Sequence, residues 1–201
     1  MINPEKVFTI ISGPNGACKT TFVKNLSPNL LKTGRFLNAH VFAQELSLND
    51  VHKVAISAGK KFLNEIDRFF EKKQSFMIET TLSGKVLLEK VQQAQQKGFI
   101  VKLIFLWISS EELCDFRVKN RVALGGHNIL YADILRRYKR GLTNFTQYFE
   151  KVNECSVYFS NAHPTLVYSK NREGKVTIVN QELYEDFQKS LEKYKVTLSP
   201  K

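Results

Sequence analysis

Within the stretch SGPNGACKTTF, Gly13, Lys19 and Thr20 stand where the pattern G-x-x-x-x-G-K-[ST] requires them, with Cys18 in place of the second glycine. That spacing is suited to holding phosphate. Successive backbone N–H groups at a strand-to-helix turn form a concavity for phosphate oxygens, and the helix N-terminus adds its positive dipole. Lys19 supplies a point charge, and the Thr20 hydroxyl suits Mg²⁺. Gly13, Pro14, Asn15, Gly16, Ala17, Cys18, Lys19, Thr20 and Thr21 are therefore expected to bind a nucleoside triphosphate, with Thr20 as metal ligand.

Cys18 modifies this expectation. A glycine at that place lets the backbone approach phosphate and adopt a dihedral that a side chain resists. A strain of about 1 to 3 kcal/mol corresponds to roughly tenfold to hundredfold weaker binding. The residues thus predict a weakened nucleotide site rather than none.

Such a loop needs a strand before it and a helix after it. Val7 to Ser12 (VFTIIS) is a short, apolar, β-branched run ending at a glycine, and Lys19 to Leu26 reads as helix. Further strands are expected at 35–39, 75–78, 100–108, 156–159, 165–168 and 176–179, the last two joined around Glu173 and Gly174. Helical periodicity runs over 51–72, 85–97 with a stop at Gly98, 111–124 with a break at Gly125 and Gly126, 129–150 and 181–194. This alternation predicts an α/β fold: a mostly parallel sheet covered by helices on both faces, with ligands at the carboxyl ends of the strands. Glu79 ends a hydrophobic strand and so joins the loop at that edge, as a carboxylate able to organise Mg²⁺ or accept a proton. Trp107 lies in the most apolar strand and is expected in the core.

The bounds agree with one enzyme domain. At 201 residues, 43% of them hydrophobic, the chain can bury a substantial core. The start MINPEKVFTII lacks the cationic and long apolar regions of a signal peptide, and no apolar stretch approaches about 18 residues. A soluble, cytoplasmic protein with no membrane partner is expected. Cys18, Cys114 and Cys155 are widely spaced, giving neither a disulfide framework nor a zinc cluster. A formal net charge of +11 favours anionic partners such as nucleotides, phosphorylated metabolites or nucleic acid. C-x5-R phosphatase chemistry is excluded, because Lys24, Asn120 and Asn161 stand where the arginine would be. H-E-x-x-H and G-x-S-x-G are absent.

Taken in order, GPNGACKTTF, LNAHVFA, IETTLSG, FLWISSEELCDFRVKNRVALGGHNI and RRYKRGLTNF resemble the zeta-toxin family of P-loop kinases, particularly its compact members, over roughly residues 6 to 162. The resemblance implies a three-layer P-loop kinase fold with an arginine-bearing lid at about 117–140. It also implies ATP- or GTP-dependent phosphoryl transfer with Mg²⁺ to a small phosphorylated or sugar-nucleotide substrate, in that family a hydroxyl of UDP-N-acetylglucosamine. An antitoxin protein is the implied partner. By the same resemblance Lys19 and Thr20 match the loop lysine and the Mg²⁺ ligand, and Glu79 and Thr80, with Thr81 beside them, match the motif facing the acceptor. Arg121 matches a lid arginine that clamps transferring phosphate, and Arg117, Arg136 and Arg137 are further lid candidates. Phosphoryl transfer mainly needs cations around developing charge, which suits arginines on a glycine-hinged segment. His127, after the glycine pair, is assigned to support the substrate site.

Two further departures from the family pattern bear on turnover. Asn38, Ala39 and His40 stand where the family has N-A-D, so His40 takes the place of the aspartate expected as general base. Ser160, Asn161 and Ala162 stand where relatives tend to carry D-N-S. Two other readings therefore stay open: a catalytically impaired pseudo-kinase acting by nucleotide or partner binding, and a basic RNA-binding module. For the last, the arginines between Arg117 and Arg140 fit a phosphate lid at least as well.

Overall fold

A computed structural model describes residues 5–26, 35–38, 51–161 and 163–196. The predictions made for Ala39, His40 and Ala162 lie outside the described residues. In chain order the elements are β1 (Lys6–Ser12), α1 (Lys19–Leu26), β2 (Phe36–Asn38), α2 (Val51–Glu71), β3 (Phe76–Thr80), α3 (Val86–Gln96) and β4 (Phe99–Trp107). They continue as α4 (Glu111–Ala123), α5 (Tyr131–Lys151), β5 (Glu154–Phe159), β6 (Thr165–Lys170), β7 (Val176–Ile178) and α6 (Gln181–Glu192).

The strands form one seven-stranded sheet in the order β2-β3-β1-β4-β5-β6-β7. From β2 to β5 every pairing is parallel, and β6 and β7 are added antiparallel at one edge. The architecture is α/β, as the alternating pattern requires. β1 lies between β3 and β4, with Ser12 level with Thr80 on one side and Phe105 on the other. Asn38 of β2 is level with Glu79. The chain leaves β1 at the point where strand order reverses, so the loop after Ser12 opens onto the crevice where ligands bind in such sheets.

Side-chain alternation divides the core. Phe8, Ile10, Phe76, Ile78, Val101, Leu103 and Phe105 pack with Phe62, Ile66 and Phe70 of α2, Leu87 and Val91 of α3, and Phe145 of α5. On the opposite face Ile11 and Met77 pack with Val23 of α1, joined by Ile104. Helices therefore cover both faces. Trp107 is fully buried as expected, its ring against Phe159 and Phe187. Phe76 stacks on Phe8 at 4.6 Å and on Phe69 at 4.7 Å, which ties α2 to β1 and β3 behind the loop.

Local signals set the helix ends that matter for the site. The Ser110 hydroxyl accepts from the Leu113 amide at 3.2 Å, capping α4. The last turn of α4 ends before Gly125, whose φ of 83° reverses the chain toward α5. The segment read as a lid is thus the second half of α4, a short connection and the start of α5. On α5, Tyr138 is buried and donates to the Ile108 carbonyl at 2.8 Å, anchoring the helix beside the end of β4.

Candidate active site

The loop after β1 is built by close backbone approach. A Cβ on Gly13 (φ 142°) would meet the Leu106 carbonyl oxygen at 2.2 Å, and one on Gly16 (φ 82°) would meet the Cys114 carbonyl oxygen at 2.9 Å. Only glycine lets the loop lie this close to β4 and α4. Cys18 sits at φ 52°, so it does adopt the left-handed conformation that the pattern reserves for glycine. Its side chain is exposed, with the thiol 3.6 Å from the Gly16 carbonyl.

Side-chain donors tie down the loop's carbonyls. Lys19 Nζ donates to the carbonyls of Gly13 and Pro14, each at 2.9 Å. The Ser160 hydroxyl donates to the Ala17 carbonyl at 3.0 Å, and the Arg117 guanidinium reaches the Gly16 carbonyl at 3.5 Å. Protein contacts to the neighbouring carbonyls hold Cys18 in this conformation before any ligand arrives.

Around the loop lies a cavity of about 830 Å³. The described residues lining it include Asn15, Gly16, Cys18, Lys19, Thr20 and Thr21 from the loop and α1, and Asn38, Glu79, Thr80 and Thr81 from β2, β3 and the turn after it. Arg117, Arg121 and Arg137 line it from α4 and α5. Cations thus face Glu79, the carboxylate of the described lining. The Thr20 hydroxyl donates to Glu79 Oε2 at 2.7 Å, drawing the loop and β3 together. Asn15 is only 6% exposed, and its Oδ1 has no protein partner among the described residues. A buried acceptor of this kind is ordinarily met by water or by a ligand's donor.

The electrostatics follow from burial. Lys19 is 7% exposed, and desolvation holds its ammonium below the ordinary lysine range, with Glu79 opposing that shift. An anion in the cavity would oppose that lowering. Arg137 is likewise lowered by burial, with Asp133 opposing.

Other predicted residues fall elsewhere. Gly13, Pro14 and Ala17 shape the loop from behind and are not among the described lining residues. Nor is Arg136, which pairs with Asp133 at 2.8 Å while its neighbour Arg137 turns to the cavity. His127 offers its backbone carbonyl to Arg121 at 2.7 Å and is not among the described residues lining the cavity. Sequence reasoning missed the far wall, formed by Phe62 and Leu63 of α2, Leu87 of α3 and Ser83. Phe62 and Leu63 were legible only as an apolar helix stripe. Nothing in their periodicity separates a wall residue from a core residue.

No protein-family model matches the chain. An uncharacterised protein of Haemophilus influenzae is 26% identical over 126 residues, 63% of this chain and 88% of its own length. Among solved structures, a chain of the AvrRxo1-ORF1:AvrRxo1-ORF2 complex with sulphate ions matches with a TM-score of 0.72 at 16% identity, over 91% of this chain. This chain spans 63% of the length of that one. The AvrRxo1-ORF1:-ORF2 complex with ATP matches with the same TM-score of 0.72. A structure from the PezAT chromosomal toxin–antitoxin system of Streptococcus pneumoniae matches with a TM-score of 0.63 at 16% identity, over 96% of this chain and 86% of its own. These likenesses show the fold: the chain shares its α/β architecture with the AvrRxo1-ORF1:-ORF2 and PezAT structures.

Proposed function

We propose that this chain is a small-molecule kinase that transfers the γ-phosphoryl group of ATP or GTP to a hydroxyl of a small acceptor, with a UDP-amino sugar as the first acceptor to test. The single observation that carries the reading is the convergence, in one cavity, of the loop, Lys19, the Thr20–Glu79 pair and the arginines Arg121 and Arg137. The acceptor class rests on the sequence resemblance.

Each side chain has a physical task in this reading. The loop amides orient the phosphates, and Lys19, Arg121 and Arg137 place positive charge around the transferring group. Thr20 Oγ1 and the Glu79 carboxylate are hard oxygen donors of the kind that suits Mg²⁺, which binds through one or two such groups together with substrate phosphates. When bound, the ion supplies neutralisation of phosphate charge. The acceptor's proton needs a base. Glu79 lines the described cavity and can serve, while His40, the other candidate, lies outside the described residues. Asn38, Thr80 and Thr81 offer hydrogen bonds to an acceptor beside it.

The test is single-turnover transfer of labelled γ-phosphate from Mg-ATP and Mg-GTP to a panel of UDP-amino sugars, with calorimetry of nucleotide binding alongside. Labelled sugar nucleotide is the expected product. A flat titration at millimolar nucleotide overturns the proposal. Cys18 in the loop and His40 in place of a carboxylate favour a second reading, a binder that does not turn over. Product that appears only in the protein carrying His40→Asp and Cys18→Gly together supports that reading. The AvrRxo1-ORF1 neighbour is seen with a second protein, ORF2, and another neighbour comes from a toxin–antitoxin system, so an antitoxin-like partner is part of the proposal, to be sought by co-purification from the native host.

A further inference from the structure

Ser160 follows β5 and is only 1% exposed, with all its polar groups engaged. Its amide donates to the Trp107 carbonyl at 2.7 Å, which clips the end of β5 to the end of β4. Its carbonyl accepts from Arg117 Nη1 at 2.9 Å. Its hydroxyl donates across 143 residues of chain to the Ala17 carbonyl at 3.0 Å. That carbonyl belongs to the same peptide unit as the Cys18 amide. In a planar trans peptide, fixing the oxygen fixes the N–H on the opposite side. Rotation of this unit is what would carry Cys18 from φ 52° to an ordinary negative φ.

We infer that Ser160 is a positioning residue for the phosphate-binding loop: by pinning the Ala17–Cys18 peptide from behind, it holds a non-glycine residue in the left-handed conformation that directs the loop amide at an anion. The inference rests on reading the loop as a nucleotide site and adds a residue outside the motif. Strained backbone persists only where its surroundings over-determine it. The Ser160 hydroxyl, with Arg117 bound to the Ser160 carbonyl and reaching Gly16, supplies that constraint. Glycine visits the left-handed region without penalty, so a loop with glycine at position 18 does not need the brace.

A double-mutant cycle tests this. The dissociation constant of Mg-ATP is measured for Ser160→Ala, Cys18→Gly and the combined protein, with thermal midpoints for each. Ser160→Ala is expected to weaken binding about five- to tenfold when Cys18 is present and less than about twofold when Gly replaces it. Equal weakening in both backgrounds, or none in either, overturns the inference. Ser160→Cys, close in size and a weaker donor, serves if the alanine protein does not fold, with a smaller effect of the same pattern expected. Alkylation of Cys18 by iodoacetamide, without nucleotide, gives a second readout: released from its peptide clamp, the thiol of the Ser160→Ala protein should react at a different rate from the parent. An unchanged rate counts against the brace. If no variant and no parent protein binds Mg-ATP, the nucleotide reading fails, and the alkylation rates alone decide the role of Ser160.

Discussion

The Thr20 hydroxyl and Glu79 Oε2, 59 residues apart in sequence, lie 2.7 Å apart and join the first turn of α1 to the end of β3. Glu79→Gln keeps the size and a hydrogen-bond acceptor while removing the charge. The expected result is a transfer rate about a hundredfold lower or less, with nucleotide affinity in the absence of Mg²⁺ within about threefold of the parent. Single-turnover kinetics and calorimetry with and without Mg²⁺ read the two effects separately. Full transfer activity in the glutamine protein would remove Glu79 from the chemistry.

Lys19 gives a pH dependence whose direction follows from its burial. Desolvation lowers its pKa in the folded protein, and the protonated form is the one that attracts phosphate. Nucleotide affinity should therefore fall as pH rises, beginning below the ordinary lysine value of about 10.4. For folding the sign is the reverse. The unfolded chain keeps this proton to higher pH than the native one, so in that window the Lys19 contribution to stability rises with pH. Lys19→Met should bind nucleotide about a hundredfold more weakly and lose the Lys19 part of both trends, as titrations across pH would show.

Arg136 and Arg137 are adjacent in sequence and differ in surroundings, since Arg136 pairs with Asp133 and Arg137 lines the cavity. Arg137→Ala should slow transfer by about a hundredfold. Arg136→Ala should change it by less than about threefold, the effect of losing a partly exposed ion pair. Comparable losses in both variants would place the clamp elsewhere on α5.

That distinction was available in the sequence and was not drawn. Ile134, Tyr138, Leu142, Phe145 and Phe149 mark the buried face of α5. Arg136 falls opposite that stripe, whereas Arg137 falls on its shoulder, toward the turn after β3. Strands made of apolar β-branched runs, such as VFTIIS, were equally plain. The end of β3 was less so. Glu79 and Thr80 continue the strand because their backbones pair with Ile11, Ser12 and Asn38, a reason that lies in neighbouring strands and leaves no mark in local hydropathy. β5 likewise begins at Glu154, two residues before its apolar pattern does, because Glu154 pairs with Lys102 of β4 in backbone register and by a 2.8 Å ion pair. Ser160 stood out as a departure from a family pattern. Its bond to the Ala17 carbonyl depends on the order of strands around β1, which pairwise spacing cannot convey.

The three thiols should separate cleanly in a labelling experiment. Cys114 and Cys155 are buried, and desolvation pushes each up to about 12, which leaves almost no thiolate at mild pH. Cys18 is exposed and lines the cavity. Iodoacetamide at about pH 8 should therefore modify one thiol quickly and the other two only after denaturation, as peptide mass mapping would show. Mg-ATP or Mg-GTP at saturating concentration should slow the fast reaction severalfold, because phosphate seated against the loop covers the same side chain. Slowing by nucleoside without phosphate would instead point to a base pocket rather than a phosphate cradle. A fast reaction that no nucleotide slows would mean that phosphate does not rest beside Cys18, and the functional assignment of the loop would fall with it.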